Sequence, residues 1–224
     1  MSTISGALAA GRVEFLGLEL RVGAGALVPR KETELLARTA IEYLTDEATL
    51  AVDVCSGTGN LACAIAHHRP RLRIYALELL RPAVDLAREN VRSLGFAERV
   101  DVREGDLFAP LGGEGLEGQC DAVVCNPPYI SSGRLGGERA SLLEHEPREA
   151  FDGGPYGVAI QQRVVREALL FLRPGGFLAF EIGAGQAKQV QALFERTKGY
   201  DPPLSFHGDE GVPRVLLARK VKSP

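Results

Sequence analysis

No run of about 18 apolar residues occurs in the 224-residue sequence, so no membrane-spanning helix is expected. Residues 1–11 lack a charged segment followed by an apolar block, so no secretion signal is read and the cytoplasm is the expected location. The four cysteines, Cys55, Cys63, Cys120 and Cys125, form no C-x-x-C pair. The adjacent His67 and His68 point to different sides of a helix, so they complete no zinc site, and no metal is expected. All four cysteines sit in apolar stretches and read as buried and reduced. Neither an internal repeat nor a low-complexity segment is present. A formal net charge of −3 suits a phosphate backbone poorly, and the Arg69, Arg71 and Arg73 cluster reads as a solvated edge, so nucleic acid is not an expected partner. Oligomeric state is not legible in the pattern; a homodimer stands as one expectation.

What is present is an ordinary globular composition, 45% hydrophobic and 25% charged, in a chain long enough for one sizeable core. Short β-rich runs alternate with helical ones, the mark of an α/β protein with a mostly parallel sheet. Residues 13–22 read as a hairpin around Gly17. Helical spacing of apolar residues covers 32–44, 61–68, 82–94, 160–172 and 186–198, with Pro82 near the start of its helix. Strands are predicted over 49–54, 72–77, 100–103, 121–125 and 177–182, with two more between 204 and 221. Arg173-Pro174-Gly175-Gly176 reads as the turn closing the fourth of these helices, and 111–119 as a Gly-rich loop. Residues 131–155 are long and irregular, as lids and substrate loops are. The division expected is an N-terminal extension and β-hairpin over 1–30, then one catalytic domain over 31–224.

Three strand ends carry candidate ligand contacts. Asp53-Val54-Cys55-Ser56-Gly57-Thr58-Gly59 leaves a strand and opens a helix, where glycines let backbone N–H groups approach a ligand. Glu78 ends the second strand, placed to accept ribose hydroxyls. Asp106 follows the third, placed to face an adenine amino group. Together the acids Asp53, Glu78 and Asp106 describe a nucleoside pocket at the sheet's binding edge, with Asp53 toward the amino-acid end of a sulfonium cofactor, directly or through water. No second GxGxxG follows, which argues against a dinucleotide.

Asn126-Pro127-Pro128-Tyr129 follows the fourth strand directly. Its prolines fix φ and remove donors, so the turn is stiff. A stiff turn holds the Asn126 side chain and the Pro127 carbonyl as acceptors for an NH2 group and turns its lone pair toward an electrophilic methyl. Tyr129 offers a flat apolar face to a planar amide or base. Such chemistry needs positioning more than a strong base.

With these blocks in order, the chain resembles the HemK/PrmC family of glutamine N5-methyltransferases from about Phe15 to Lys220. Leu27-Val28-Pro29-Arg30-Lys31-Glu32-Thr33-Glu34 is similar to the family's L-[IV]-P-R-x-[DE]-T-E segment. Glu146-Pro147-Arg148-Glu149-Ala150, with Asp152-Gly153-Gly154 and Gly157, resembles its E-P-x-x-A-L-x-G-G-x-x-G block, and Phe180-Glu181-Ile182-Gly183 its E-I-G stretch. The resemblance implies a Rossmann-like class I methyltransferase fold, a seven-stranded mostly parallel sheet whose last strand is antiparallel. It implies S-adenosyl-L-methionine as donor and an amide nitrogen as acceptor, in the family the glutamine of a Gly-Gly-Gln motif in translation release factors. The expected contacts are Asp53, Cys55, Gly57, Gly59, Glu78, Asp106 and Asn126 to the cofactor. Asn126, Pro127 and Tyr129 are expected at the reacting nitrogen, and Pro128, Tyr129, Arg30, Glu146 and Arg148 toward the acceptor. Arg148 has alternative partners in a substrate carboxylate, Glu144 and Glu146. Cys55 stands at the first glycine of the usual loop, a residue compatible with negative φ that adds a side chain beside the cofactor. Bacterial members carry an N-terminal helical domain that grips the release factor, whereas here about a dozen residues precede the hairpin. A small-molecule or peptide acceptor therefore remains an alternative, followed by a nucleobase amino group and by a degenerate, non-catalytic binding module.

Overall fold

The computed structural model describes residues 4–222. It opens with α1 (Ile4–Ala10) and a two-stranded antiparallel hairpin, β1 (Arg12–Phe15) and β2 (Leu18–Arg21). A 3₁₀ turn (Lys31–Thr33) leads into α2 (Glu34–Tyr43). The alternation continues with β3 (Leu50–Val54), α3 (Asn60–His68), β4 (Arg73–Glu78), α4 (Arg81–Ser93), β5 (Val100–Glu104) and β6 (Cys120–Cys125). After the short α5 (Ser132–Leu135) come α6 (Ala159–Phe171), β7 (Leu172–Glu181), α7 (Ala187–Thr197), β8 (Leu204–His207) and β9 (Pro213–Arg219).

The seven strands after the hairpin form one sheet in the order β5-β4-β3-β6-β7-β9-β8. β9, the last in the chain, inserts between β7 and β8 and runs antiparallel to both. The order reverses between β3 and β6. In an open α/β sheet such a reversal leaves a crevice at the carboxyl ends of the strands, the ordinary place for a ligand. The residues that follow β3 and β6 are the Cys55–Gly59 turn and the Asn126 loop.

Successive strand residues face opposite sides of the sheet. Ala51, Ile74, Ala76, Ala122 and Val124 pack under α2, α3 and α4, together with Phe15, Leu18 and Leu20 of the hairpin. Val52, Val54, Leu77, Val123 and Leu178 pack under α6 and α7. Both faces are covered, so these strands read as continuous apolar runs. The hairpin shares its core with the sheet, and Val13 also packs against a small cluster of Ala7, Val22 and Val28.

Asn90 locks the hairpin to the body. Fully buried on α4, its Oδ1 accepts from the Arg21 N–H (2.7 Å). Its Nδ2 donates to the carbonyls of Arg21 (3.1 Å) and Thr58 (2.9 Å). One amide therefore ties β2, α4 and the turn after β3.

One expectation is corrected. Arg173–Gly176 is not a turn between helix and strand; it lies inside β7, which begins at Leu172. Leu172 pairs with Cys120 and Phe177 with Ala122, so four residues of β7 stand opposite Asp121 alone and the strand bulges by three extra residues between these pairs. The chemistry that suggested a turn serves the bulge instead: Gly175 has φ +78°, and a Cβ on Gly176 would stand 2.7 Å from the Cys120 carbonyl. Replacing Asn90 by alanine strips partners from three backbone groups, one buried and two part-buried. We expect a loss of about 2–4 kcal/mol in urea unfolding; an unchanged midpoint would contradict the locking role.

Candidate active site

Two adjoining cavities open at the switch point. The first, about 290 Å³, is lined by the turn residues Cys55, Ser56 and Gly57, by Glu78, Leu79, Asp106, Leu107 and Ile160, and by Pro128 and Asn126. The second, about 320 Å³, is lined by Pro127, Tyr129, Glu32, Glu181, Gln186 and Arg214, and again by Asn126. Asn126 borders both, as do Leu27, Arg30 and Ala150.

Carboxylates and backbone donors build the first cavity. Glu78 Oε2 accepts from the Gly57 N–H (2.8 Å) and Oε1 from the Leu80 N–H (2.9 Å). Each oxygen keeps a second lone pair for a ligand hydroxyl. Burial pushes the Glu78 carboxyl above its ordinary range, and the backbone N–H groups of Leu80, Gly57 and Leu79 pull it back. Asp106 sits at the rim, held by a bidentate pair with Arg163 (3.1 and 3.0 Å). Ser56 Oγ is buried without a partner, a free polar atom on the cavity wall. Leu79, Leu107 and Ile160 add apolar surface. A nucleoside with a polar tail matches this donor set: hydroxyls for Glu78, a flat ring for the leucines, polar groups for Ser56 and the Gly57 turn.

Asp53 does not line this cavity. It faces the α3 side of the sheet, where Oδ2 accepts from the Ala62 N–H (3.0 Å) and Oδ1 has no partner. Burial drives its carboxyl up to about 8, opposed by the Ala62 N–H and reinforced by the charge on Glu78. Its place is beneath the turn, at the start of α3. Gly59 is likewise behind the wall, with φ +78°. Cys55 does line the cavity, but at φ +57° and not at the negative φ expected of it. A cysteine held in the left-handed region carries strain of roughly 1–2 kcal/mol.

The second cavity is organised by Glu181, at the end of β7 and 1% exposed. Its Oε2 accepts from the Thr33 hydroxyl (2.7 Å) and its Oε1 from the Tyr129 hydroxyl (3.2 Å), with the Arg214 guanidinium 3.5 Å away. Burial raises the Glu181 carboxyl, and Thr33, Arg214 and Tyr129 counter that shift. Asn126 Nδ2 donates to Thr33 Oγ1 (3.2 Å).

The block around Gly153 and Gly157 is the bed of the Asn126 loop. Ile130 N–H donates to the Phe151 carbonyl (2.9 Å), and Gly153 N–H to the Ile130 carbonyl (2.8 Å). Gln186 Nε2 donates to the carbonyls of Tyr129 (2.9 Å) and Gly157 (3.1 Å). A Cβ on Gly153 would stand 2.8 Å from the Pro128 carbonyl. At Gly157, φ is +71° and a Cβ would stand 2.5 Å from the Tyr129 carbonyl. The glycines are spaced to let one backbone lie on another.

Three acceptor contacts expected from sequence are displaced. Glu146 lines neither cavity; it is buried, paired with Arg30 and accepting from the Val28 N–H (2.8 Å). A buried carboxylate needs such partners, and Arg30 supplies the charge. Arg148 pairs with Asp152 (3.0 Å), neither with Glu144 nor Glu146, and borders the first cavity. Pro128 also borders the first cavity, because consecutive loop residues turn to opposite sides. Sequence reasoning missed Thr33, Gln186 and Arg214. Thr33 lies inside a segment whose pattern was recognised; Gln186 and Arg214 have no local signal at all, since each meets the loop only through tertiary packing.

The fold and the two cavities define an S-adenosylmethionine-dependent methyltransferase. A family model described as Methyltransferase small domain matches residues 31–143. The release factor glutamine methyltransferase of Moorella thermoacetica is 40% identical over 93% of this chain and 72% of its own length. That of Geobacter sulfurreducens is 35% identical over 93% and 71%. Among solved structures, a methyltransferase from Pyrococcus furiosus shares the fold at a TM-score of 0.61 and 19% identity, over 92% of this chain and 90% of that one. Pyrococcus horikoshii TYW2 in complex with MeSAdo does so at 0.62 and 14%, over 95% and 71%. The chain belongs to the release factor glutamine methyltransferase family.

Two outcomes are expected. Gly157→Ala adds left-handed strain to a backbone clash and destabilises by about 2–4 kcal/mol in denaturant unfolding; a neutral result would contradict the loop-bed geometry. For Asp53, a folded pKa above the unfolded one means an extra proton is bound on folding. Its contribution is whole below about pH 4 and fades as pH rises through about 8. The melting temperature of the wild type should therefore fall relative to that of Asp53→Asn between pH 5 and 8, and parallel curves would refute the assignment.

Proposed function

We propose that this chain methylates the side-chain amide nitrogen of a glutamine in a release factor, with Asn126 as the residue that holds that nitrogen. The observation carrying this reading is the position of Asn126 on the wall shared by the two cavities. A group anchored there in the second cavity faces the first across a single side chain.

Glu78, Asp106 and the Cys55–Gly57 turn would hold S-adenosylmethionine, which would supply an electrophilic methyl group. The remaining work belongs to the protein. Asn126 Oδ1 and the Pro127 carbonyl accept the two N–H bonds of the acceptor amide. Both hydrogens are then committed, and the nitrogen lone pair is left facing the first cavity; as the N–C bond forms and the methyl–sulfur bond breaks to leave a thioether, one of the two amide protons is lost to solvent. Pro127 and Pro128 keep the two acceptors fixed, so little reorganisation is needed. Tyr129 lines the second cavity, its hydroxyl tied to Glu181. That bond leaves the ring as the surface offered to a planar amide. A guanidinium group at the same mouth, Arg139, and the carboxylate of Glu32 give the acceptor's flanking backbone polar contacts.

Incubation with labelled S-adenosylmethionine and purified release factor is the direct test. Label should enter the factor and vanish when its acceptor glutamine is replaced. Asn126→Ala should lower transfer by at least about 100-fold, with cofactor affinity by calorimetry nearly unchanged. Label that fails to enter the factor, or full activity in that variant, would overturn the reading.

A further inference from the structure

Two buried side chains outside the loop, Thr33 and Glu181, connect to the Asn126 amide. The two ends have nearly the same shape and opposite chemistry: Oδ1 accepts, Nδ2 donates. With Nδ2 toward the second cavity, a donor would meet the donor NH2 of the acceptor amide. Stiff prolines fix the Asn126 backbone and do nothing to choose between the two orientations. Some other contact has to.

That contact is built from Glu181 outward. An ionised carboxylate is an acceptor only. Glu181 collects the Thr33 hydroxyl, the Tyr129 hydroxyl and the Arg214 guanidinium, all donors. The Thr33 hydroxyl has one proton, and at 2.7 Å it is spent on Glu181 Oε2. Thr33 Oγ1 then has only lone pairs left for Asn126, so Nδ2 must turn toward it, as the 3.2 Å contact records. Oδ1 is thereby sent the other way. Thr33 is itself 1% exposed, so its hydroxyl is largely shielded from water. The 3₁₀ turn before α2 and the end of β7 are far apart in sequence, and they meet at the loop only in the folded chain.

We propose that Thr33 and Glu181 are positioning residues that set the amide orientation of Asn126, Glu181 polarising Thr33 and Thr33 holding Nδ2. This rests on the acceptor role given to Asn126 above. Steady-state kinetics with labelled S-adenosylmethionine and release factor should show kcat lowered on the order of 10- to 100-fold in Thr33→Val. KM for the factor and the cofactor dissociation constant should stay within about threefold, and Thr33→Ser should recover most of kcat. Glu181→Gln should also lower kcat, with KM free to change because Tyr129 loses its carboxylate partner. A second readout needs no acceptor. In ¹⁵N spectra of the full chain, with the Asn126 side-chain peaks assigned by their loss in Asn126→Ala, one amide proton should exchange slowly in the wild type and in Thr33→Ser. It should exchange rapidly in Thr33→Val. Unchanged kcat in a folded Thr33→Val, a loss confined to KM, or equal exchange in wild type and Thr33→Val would overturn the proposal. If Asn126→Ala is inactive while Thr33→Val is fully active, the positioning claim alone falls. If Asn126→Ala stays active, the acceptor role falls and the positioning claim with it.

Discussion

The buried carboxylate of Glu181 is the constraint on which the acceptor side of the site depends. A charge at 1% exposure survives only when donors surround it. The donors it gathers come from three separate places: Thr33 before α2, Tyr129 in the loop after β6, and Arg214 on β9. Satisfying one carboxylate therefore draws an N-terminal segment, the reactive loop and the antiparallel strand into fixed relation. The insertion of β9 beside β7 is what brings Arg214 there at all. Fold and chemistry meet in that requirement.

A parallel arrangement serves the other cavity. Glu78 holds the Gly57 turn by one oxygen and the Leu80 backbone by the other. Asp53 holds the first turn of α3 from below. The acids at the strand ends thus shape the backbone as well as offering contacts, and only Glu78 does both from a buried position on the wall. The two cavities are joined at Asn126, whose own freedom is removed on the backbone side by prolines and on the side-chain side by Thr33.

Much of this was legible beforehand because its causes are local. Alternating strands and helices, a Gly-rich turn after a buried strand and a proline-stiffened loop each leave a mark in consecutive residues. The strand order, with the last strand antiparallel, came through family resemblance, since no local pattern encodes lateral order. The failures have a common physical source. Arg173–Gly176 has turn chemistry, and a β-bulge uses the same residues for the same backbone freedom. Cys55 adopts positive φ because the turn's geometry overrides its preference. Glu146 and Arg148 sit in a recognisable block, yet their partners Arg30 and Asp152 are chosen by packing. Asp53 points beneath the turn to the start of α3, which its position in the turn motif does not reveal.

In the proposed site, Asn126 presents its amide oxygen to an acceptor amide across from a nucleoside held on Glu78. A crystal structure of the chain with S-adenosylhomocysteine and a glutamine-containing release-factor peptide tests it most directly. Ribose hydroxyls should lie on Glu78, the glutamine amide nitrogen within hydrogen-bond reach of Asn126 Oδ1, and Nδ2 on Thr33. A nucleoside bound away from Glu78, or a glutamine that meets Asn126 through Nδ2, would contradict it.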